Sequence, residues 1–143
     1  MDWRRILAPI VRRIDNMVAR AVVTIANDDN MIQTMQAKIL KGEVRDNIER
    51  FQNYGYTSRP HPGAEALIVF CGGDRAHGIA VAVDDRRYRL IELEPGEVAI
   101  YTDEGDKIHF KRDRVIEITS GAKIKATAPE VEIIASTKVT VTT

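Results

Sequence analysis

AEALIVFCGGDRAHGIAVAV, residues 64–83, sets two apolar runs on either side of a glycine-rich turn. Ala64 to Cys71 reads as a central strand and Gly78 to Val83 as a second core strand, with Gly72-Gly73-Asp74 turning the chain between them. Gly72, Gly73 and Gly78 fit a turn that needs positive φ or close approach. His77 is expected to join Asp74 or Arg75 in a structural or interchain network, and Cys71 to be a small buried side chain. The string is no phosphate loop: it lacks the required glycine spacing and precedes a strand, not a helix.

Working outward, Val18 to Ala26 is a strand ended by Asn27-Asp28-Asp29-Asn30, and Met31 to Leu40 is another, closed by Lys41-Gly42. Arg87 to Leu93 reads as a further strand, whereas Arg45 to Tyr56 mixes charge and aromatics without a clear pattern. Five strands in about seventy-five residues suit a small closed barrel of the oligonucleotide/oligosaccharide-binding type, because closure removes exposed edges. An open antiparallel sheet is the alternative. Upstream, Trp3, Ile6, Leu7, Ile10, Val11, Ile14 and Met17 follow a three-and-four spacing over residues 2–17, an amphipathic helix whose polar side carries Arg4, Arg5, Arg12 and Arg13. Pro9 is expected at its first turn. The helix either packs on its own domain or docks on a neighbour.

Beyond the hinge Pro95-Gly96, Glu97 to Tyr101 and Lys107 to Phe110 read as a hairpin. Then come pairs of apolar residues two apart: Ile116 and Ile118, Ala122 and Ile124, Val131 and Ile133, Val139 and Val141. Ile116 to Ile124, Val131 to Val139 and Ile133 to Val141 are each eight apart, so a short strand and turn recur. Ordering about thirty residues costs roughly 45 kcal/mol, which takes burial of about 1,800 Å² of apolar surface. One row of Ile and Val on a ribbon falls short of that, so the rest of the chain or other copies must cover it.

The 21 basic and 21 acidic side chains cancel, so no global field steers the protein toward nucleic acid or an anionic membrane. A lone cysteine excludes an intrachain disulfide, and three scattered histidines, His61, His77 and His109, offer no metal-ligand spacing. Asp28-Asp29 and Asp84-Asp85 sit in turns without an apolar pocket, so no enzyme is expected. The competing reading is a barrel that binds single-stranded nucleic acid through Phe51, Tyr54 and Tyr56 with Arg50 and Arg59, or through Arg86, Arg87, Tyr88 and Arg89. Neighbouring acids weaken it.

GEVRDNIE (Gly42–Glu49), YGYTSRPHPGAE (Tyr54–Glu65) and GGDRAHG (Gly72–Gly78) stand in an order that closely resembles the spike protein of Mu-like phages, the baseplate assembly protein V family. The resemblance implies an all-β homotrimer: residues 1–17 a hub-facing helix, 18–94 the barrel, and 95–143 the start of an intertwined β-helical needle. It implies contact with tail hub and baseplate proteins through Trp3, Arg4, Arg5, Arg12 and Arg13, and a needle core of Ile116, Ile118, Ile124, Val131, Ile133, Val139 and Val141 on a three-fold axis. Such a spike is made in the host cytoplasm, sits in the virion tail baseplate, and crosses the host outer membrane when the sheath contracts, with no nucleic acid as partner. Needles of the family commonly end in an iron-binding His-x-His tip, which this sequence lacks, so no cofactor is expected in this chain. Either the needle is truncated before its tip, the reading favoured by the unfinished TKVTVTT, or this member has no metal apex.

Overall fold

The computed structural model describes residues 3–39 and 42–142. The expected turn residue Lys41, the helix start at Asp2 and the terminal Thr143 lie outside them. The chain forms two compact units, Met1–Arg89 and Leu90–Thr143.

The first unit opens with helix α1 (Trp3–Asp15) and continues into strands β1 (Val18–Asn27), β2 (Gln33–Ile39), β3 (Glu43–Arg50), β4 (Glu65–Phe70) and β5 (Gly78–Asp84). These close into a barrel in the order β1-β2-β3-β5-β4, which is the expected oligonucleotide/oligosaccharide-binding type of closure. All pairings are antiparallel except β3 with β5, which meet in parallel through Glu49–Ile79 and Arg50–Ala80.

The barrel has its five strands, but one is not where the sequence suggested. Residues 87–93 form no strand; Arg87 is drawn back onto Asp85 in a turn, and Glu92 takes φ +63°. The third barrel strand is 43–50, most of it in the stretch from Arg45 to Tyr56 that gave no clear pattern. It hides because Ile48 is its one buried residue and because a bulge sets Asp46 and Asn47 opposite Gln36, breaking the alternation. Asn47 takes φ +55°, a conformation asparagine tolerates better than most residues.

The barrel core consists of Ala21, Val23, Ala26, Met35, Ala37, Ile39, Ile48, Ala64, Ala66, Ile68, Phe70 and Ala80. Six of the twelve are alanine, which suits a bore too narrow for a large side chain at every level. Among the described residues, one polar side chain joins this interior. Gln33 is buried and satisfied, giving hydrogen bonds to Asp28 Oδ1 (2.6 Å) and the Ser58 carbonyl (3.1 Å) and accepting one from Arg50 Nη1 (2.8 Å).

In the second unit β6 (Val98–Tyr101), β7 (Lys107–Phe110) and β8 (Ile116–Thr119) form an antiparallel meander. The hairpin falls where the sequence placed it. From residue 120 to 142 there is no regular strand, only irregular chain with bends at 121–122, 129 and 136–137.

Candidate functional site

The GGDRAHG turn is where the sequence pattern acquires a use. Phe70 ends β4 with its ring in the core, and its N–H donates to the Met17 carbonyl (2.7 Å), just past the end of α1. Cys71 therefore lies outside the strand, at the start of a 3₁₀ turn, and is exposed; the expectation of a buried thiol is corrected. Gly73, at φ +73°, lies so close to α1 that a Cβ there would stand 2.4 Å from the Arg13 carbonyl oxygen. Arg75 reaches the same junction: its guanidinium lies 5.0 Å from the Phe70 ring centroid, 3.4 Å from Asn16 Oδ1 and 3.6 Å from Glu43. Asp74 caps the turn through the Ala76 N–H, and His77 donates its backbone N–H to the Asp74 carbonyl. Gly78 begins β5 where a Cβ would come within 3.0 Å of the Phe70 ring. The motif is a socket that holds the C-terminal end of the helix.

The helix itself is exposed along its length. It runs from Trp3 through Pro9, contrary to the expectation that proline would mark its first turn, and so loses the hydrogen bond to the Arg5 carbonyl. Arg12 and Arg13 in the last turn favour the helix dipole. None of its residues is buried, and Trp3, Ile6, Leu7, Ile10, Val11 and Ile14 are all exposed.

A second uncovered surface lies on the β6-β7-β8 sheet. Cross-strand register stacks Val98, Phe110 and Ile116 in one rung and Ile100, Ile108 and Ile118 in the next, so that one face is entirely apolar, and all six are exposed. The other face carries Ala99, His109 and Glu117, then Tyr101, Lys107 and Thr119. There His109 Nε2 lies 3.0 Å from Glu97 Oε2, with only 11% and 6% of the two side chains exposed. The backbone N–H of Arg112 donates to Glu97 Oε1 (3.0 Å) and that of Glu94 to Oε2 (3.2 Å). These bonds, that from Arg112 first, hold the Glu97 carboxyl below its ordinary range. Sequence reading missed this pair, since Glu97 meets His109 only once the hairpin register is fixed.

Of the expected needle residues, Ile116 and Ile118 belong to the apolar sheet face. Ile124, Val131, Ile133, Val139 and Val141 lie in the irregular stretch and are exposed, Ile133 by 75% and Val141 by 87%. The basic residues considered for nucleic acid are mostly engaged within the chain. Arg50 donates to Gln33 and Ser58, and burial lowers its pKa; Arg59 donates to the Ala26 carbonyl, Arg86 pairs with Glu65, and Arg87 with Asp85. Phe51, Tyr54 and Tyr56 are exposed on the loop after β3. No group of three metal-ligating side chains occurs among the described residues.

These features define a small closed barrel of the oligonucleotide/oligosaccharide-binding type, bearing an end-anchored helix and followed by a separate meander unit. Residues 20–87, nearly the whole barrel, match the family described as Bacteriophage Mu Gp45, N-terminal. Over 109 residues the chain is 50% identical to the baseplate puncturing device gp45 of Escherichia phage Mu, an alignment covering 76% of this chain and 55% of that protein. Over 106 residues it is 43% identical to the Mu-like prophage FluMu protein gp45 of Haemophilus influenzae, covering 74% of this chain and 58% of that one. The chain belongs, through its barrel, to the Mu-like baseplate spike family. It spans somewhat more than half the length of these relatives.

Proposed function

We propose that this protein is a structural component of a contractile phage tail baseplate, the central spike that pierces the host outer membrane when the sheath contracts. Three chains assemble about one axis. Their barrels form a collar under the tail hub, and the residues after the hinge form the shaft, with Ile116, Ile118, Ile124, Val131, Ile133, Val139 and Val141 turned inward. Trp3, Arg4, Arg5, Arg12 and Arg13 face the hub and baseplate proteins. The work comes from sheath contraction, so neither a catalytic residue nor a cofactor is called for in this chain.

The observation that carries this reading is the fully apolar, uncovered face of the β6-β7-β8 sheet, continued by a row of exposed Ile and Val through residue 141. A face of that kind on a single chain leaves the hydrophobic contribution of those side chains unrealised, at about 25 cal/mol per Å². Copies about a three-fold axis realise it and leave few strand edges unpaired. The likeness to a protein named as a baseplate puncturing device supports the same role. Sedimentation equilibrium of the purified chain should give three copies per particle at micromolar concentration; a stable monomer there overturns the proposal.

A further inference from the structure

We propose that α1 is the oligomerisation seam at the N-terminal end of the assembly, packing in parallel against the same helix of two other copies. This rests on the three-copy assembly proposed above, but other residues carry it.

Trp3, Leu7, Ile10 and Ile14 recur at intervals of four, three and four within α1. That is the spacing of a coiled-coil seam, in which Leu7 and Ile14 take the a positions and Trp3 and Ile10 the d positions. Leucine at a with isoleucine at d favours three or four strands over two. Ile6 and Val11 flank the seam at g and e. In a parallel arrangement Ile6 of one helix meets Val11 of the next, and Arg13 has no e-position partner because α1 ends at Asp15, so the seam sets no arginine against another. Pro9 falls at c, on the outer side, where its missing N–H and its ring stay clear of the neighbours.

The helix also needs such a covering. Thirteen residues with an interior proline are marginal in water, and Arg4 and Arg5 in the first turn oppose its dipole. It draws no buried contact from the barrel, and Gly73, Phe70 and Arg75 hold only its C-terminal end. A helix held at one end, with its whole seam exposed, is presented for packing. In this arrangement Trp3 belongs to the seam, while Arg5 and Arg12, at the outermost f positions, remain directed at the hub.

The test uses the full chain with Cys71→Ser, since the native thiol is exposed. Ile10→Cys, or independently Leu7→Cys, should form disulfide-linked pairs under mild oxidation, because seam Cα atoms of neighbouring copies come within bonding range. Two of every three chains can be linked, and the third remains single. Arg12→Cys, on the outer side, should link on the order of tenfold less. A three-copy particle in which positions 7 and 10 link no better than position 12 overturns this seam and leaves the spike reading standing; capture of α1 by a groove on a different protein would give that result. A monomer by sedimentation, with no linking at either seam position, overturns both.

Discussion

Gly73 is the residue on which the helix socket depends. Any side chain there sets its Cβ 2.4 Å from the Arg13 carbonyl oxygen, a backbone atom that cannot swing aside, and must also adopt φ +73°. Gly72 has a comparable φ, +63°, but nothing within 4 Å. Gly72→Ala should therefore lose only backbone strain, about 1 kcal/mol, whereas Gly73→Ala should lose about 2–3 kcal/mol as α1 is forced off its seat. For a unit of this size that separates the two melting temperatures by about 4–16 °C, with Gly73→Ala the lower. Equal shifts in thermal unfolding would mean the socket contributes nothing. Glu97 poses a different test. Its folded pKa is depressed, chiefly by the Arg112 N–H, so its contribution is complete above the unfolded glutamate value of about 4.3 and is lost as pH falls through the lower folded value. Unfolding of the second unit should become easier across that acid window. Glu97→Gln should flatten the pH dependence, which a series of denaturation curves from pH 6 to pH 2.5 will reveal.

Within each strand, legibility followed how apolar the string is. Residues 65–70 were readable because Ala66, Ile68 and Phe70 are buried at alternate positions, residues 78–84 because GIAVAV is unbroken by charge although Ala80 alone is buried, and the β6-β7 hairpin because both its strands are short and bounded by turn residues. β3 was not, because its buried Ile48 stands among charged and polar residues and its bulge shifts the alternation by one residue. The opposite error at 87–93 has a local cause: an alternating string can look like a strand, but Asp85 takes the Arg87 backbone and side chain into a turn. Cys71 misled for a similar reason, being the first residue after an apolar run instead of its last member. The socket was visible only as an unusual string, since nothing in GGDRAHG names the helix carbonyl it receives. The apolar sheet face yields its own prediction. Ile118 and Glu117 are neighbours on β8 with opposite facing. Ile118→Asp should abolish assembly by placing a charge in the surface that the proposed three-copy arrangement covers. Glu117→Ala removes an exposed pair with Lys111 and a hydrogen bond from Thr119 Oγ1, both on the opposite face, and should leave assembly intact. Size-exclusion profiles that shift equally for both would mean the wrong face has been chosen.

At the scale of the molecule, the two units should separate in their dependence on concentration. Deleting residues 90–143 should leave the barrel folded by circular dichroism while raising the concentration at which copies associate by on the order of tenfold or more, equivalent to about 1.4 kcal/mol for each factor of ten. An unchanged association midpoint would place all of the assembly energy in the first unit. The barrel has an internal weak line as well. Its closure between β3 and β5 rests on two residue pairs, Glu49–Ile79 and Arg50–Ala80, whereas among the described residues β1-β2 and β2-β3 pair through six each. Those two pairs also join segments thirty residues apart in sequence, so they should be among the last to form and the first to open. In deuterated solvent, amides along β3 and β5 should therefore exchange through a local opening that leaves β1 and β2 protected: the barrel behaves as a clasp, unfastened at one line long before the fabric on either side gives way.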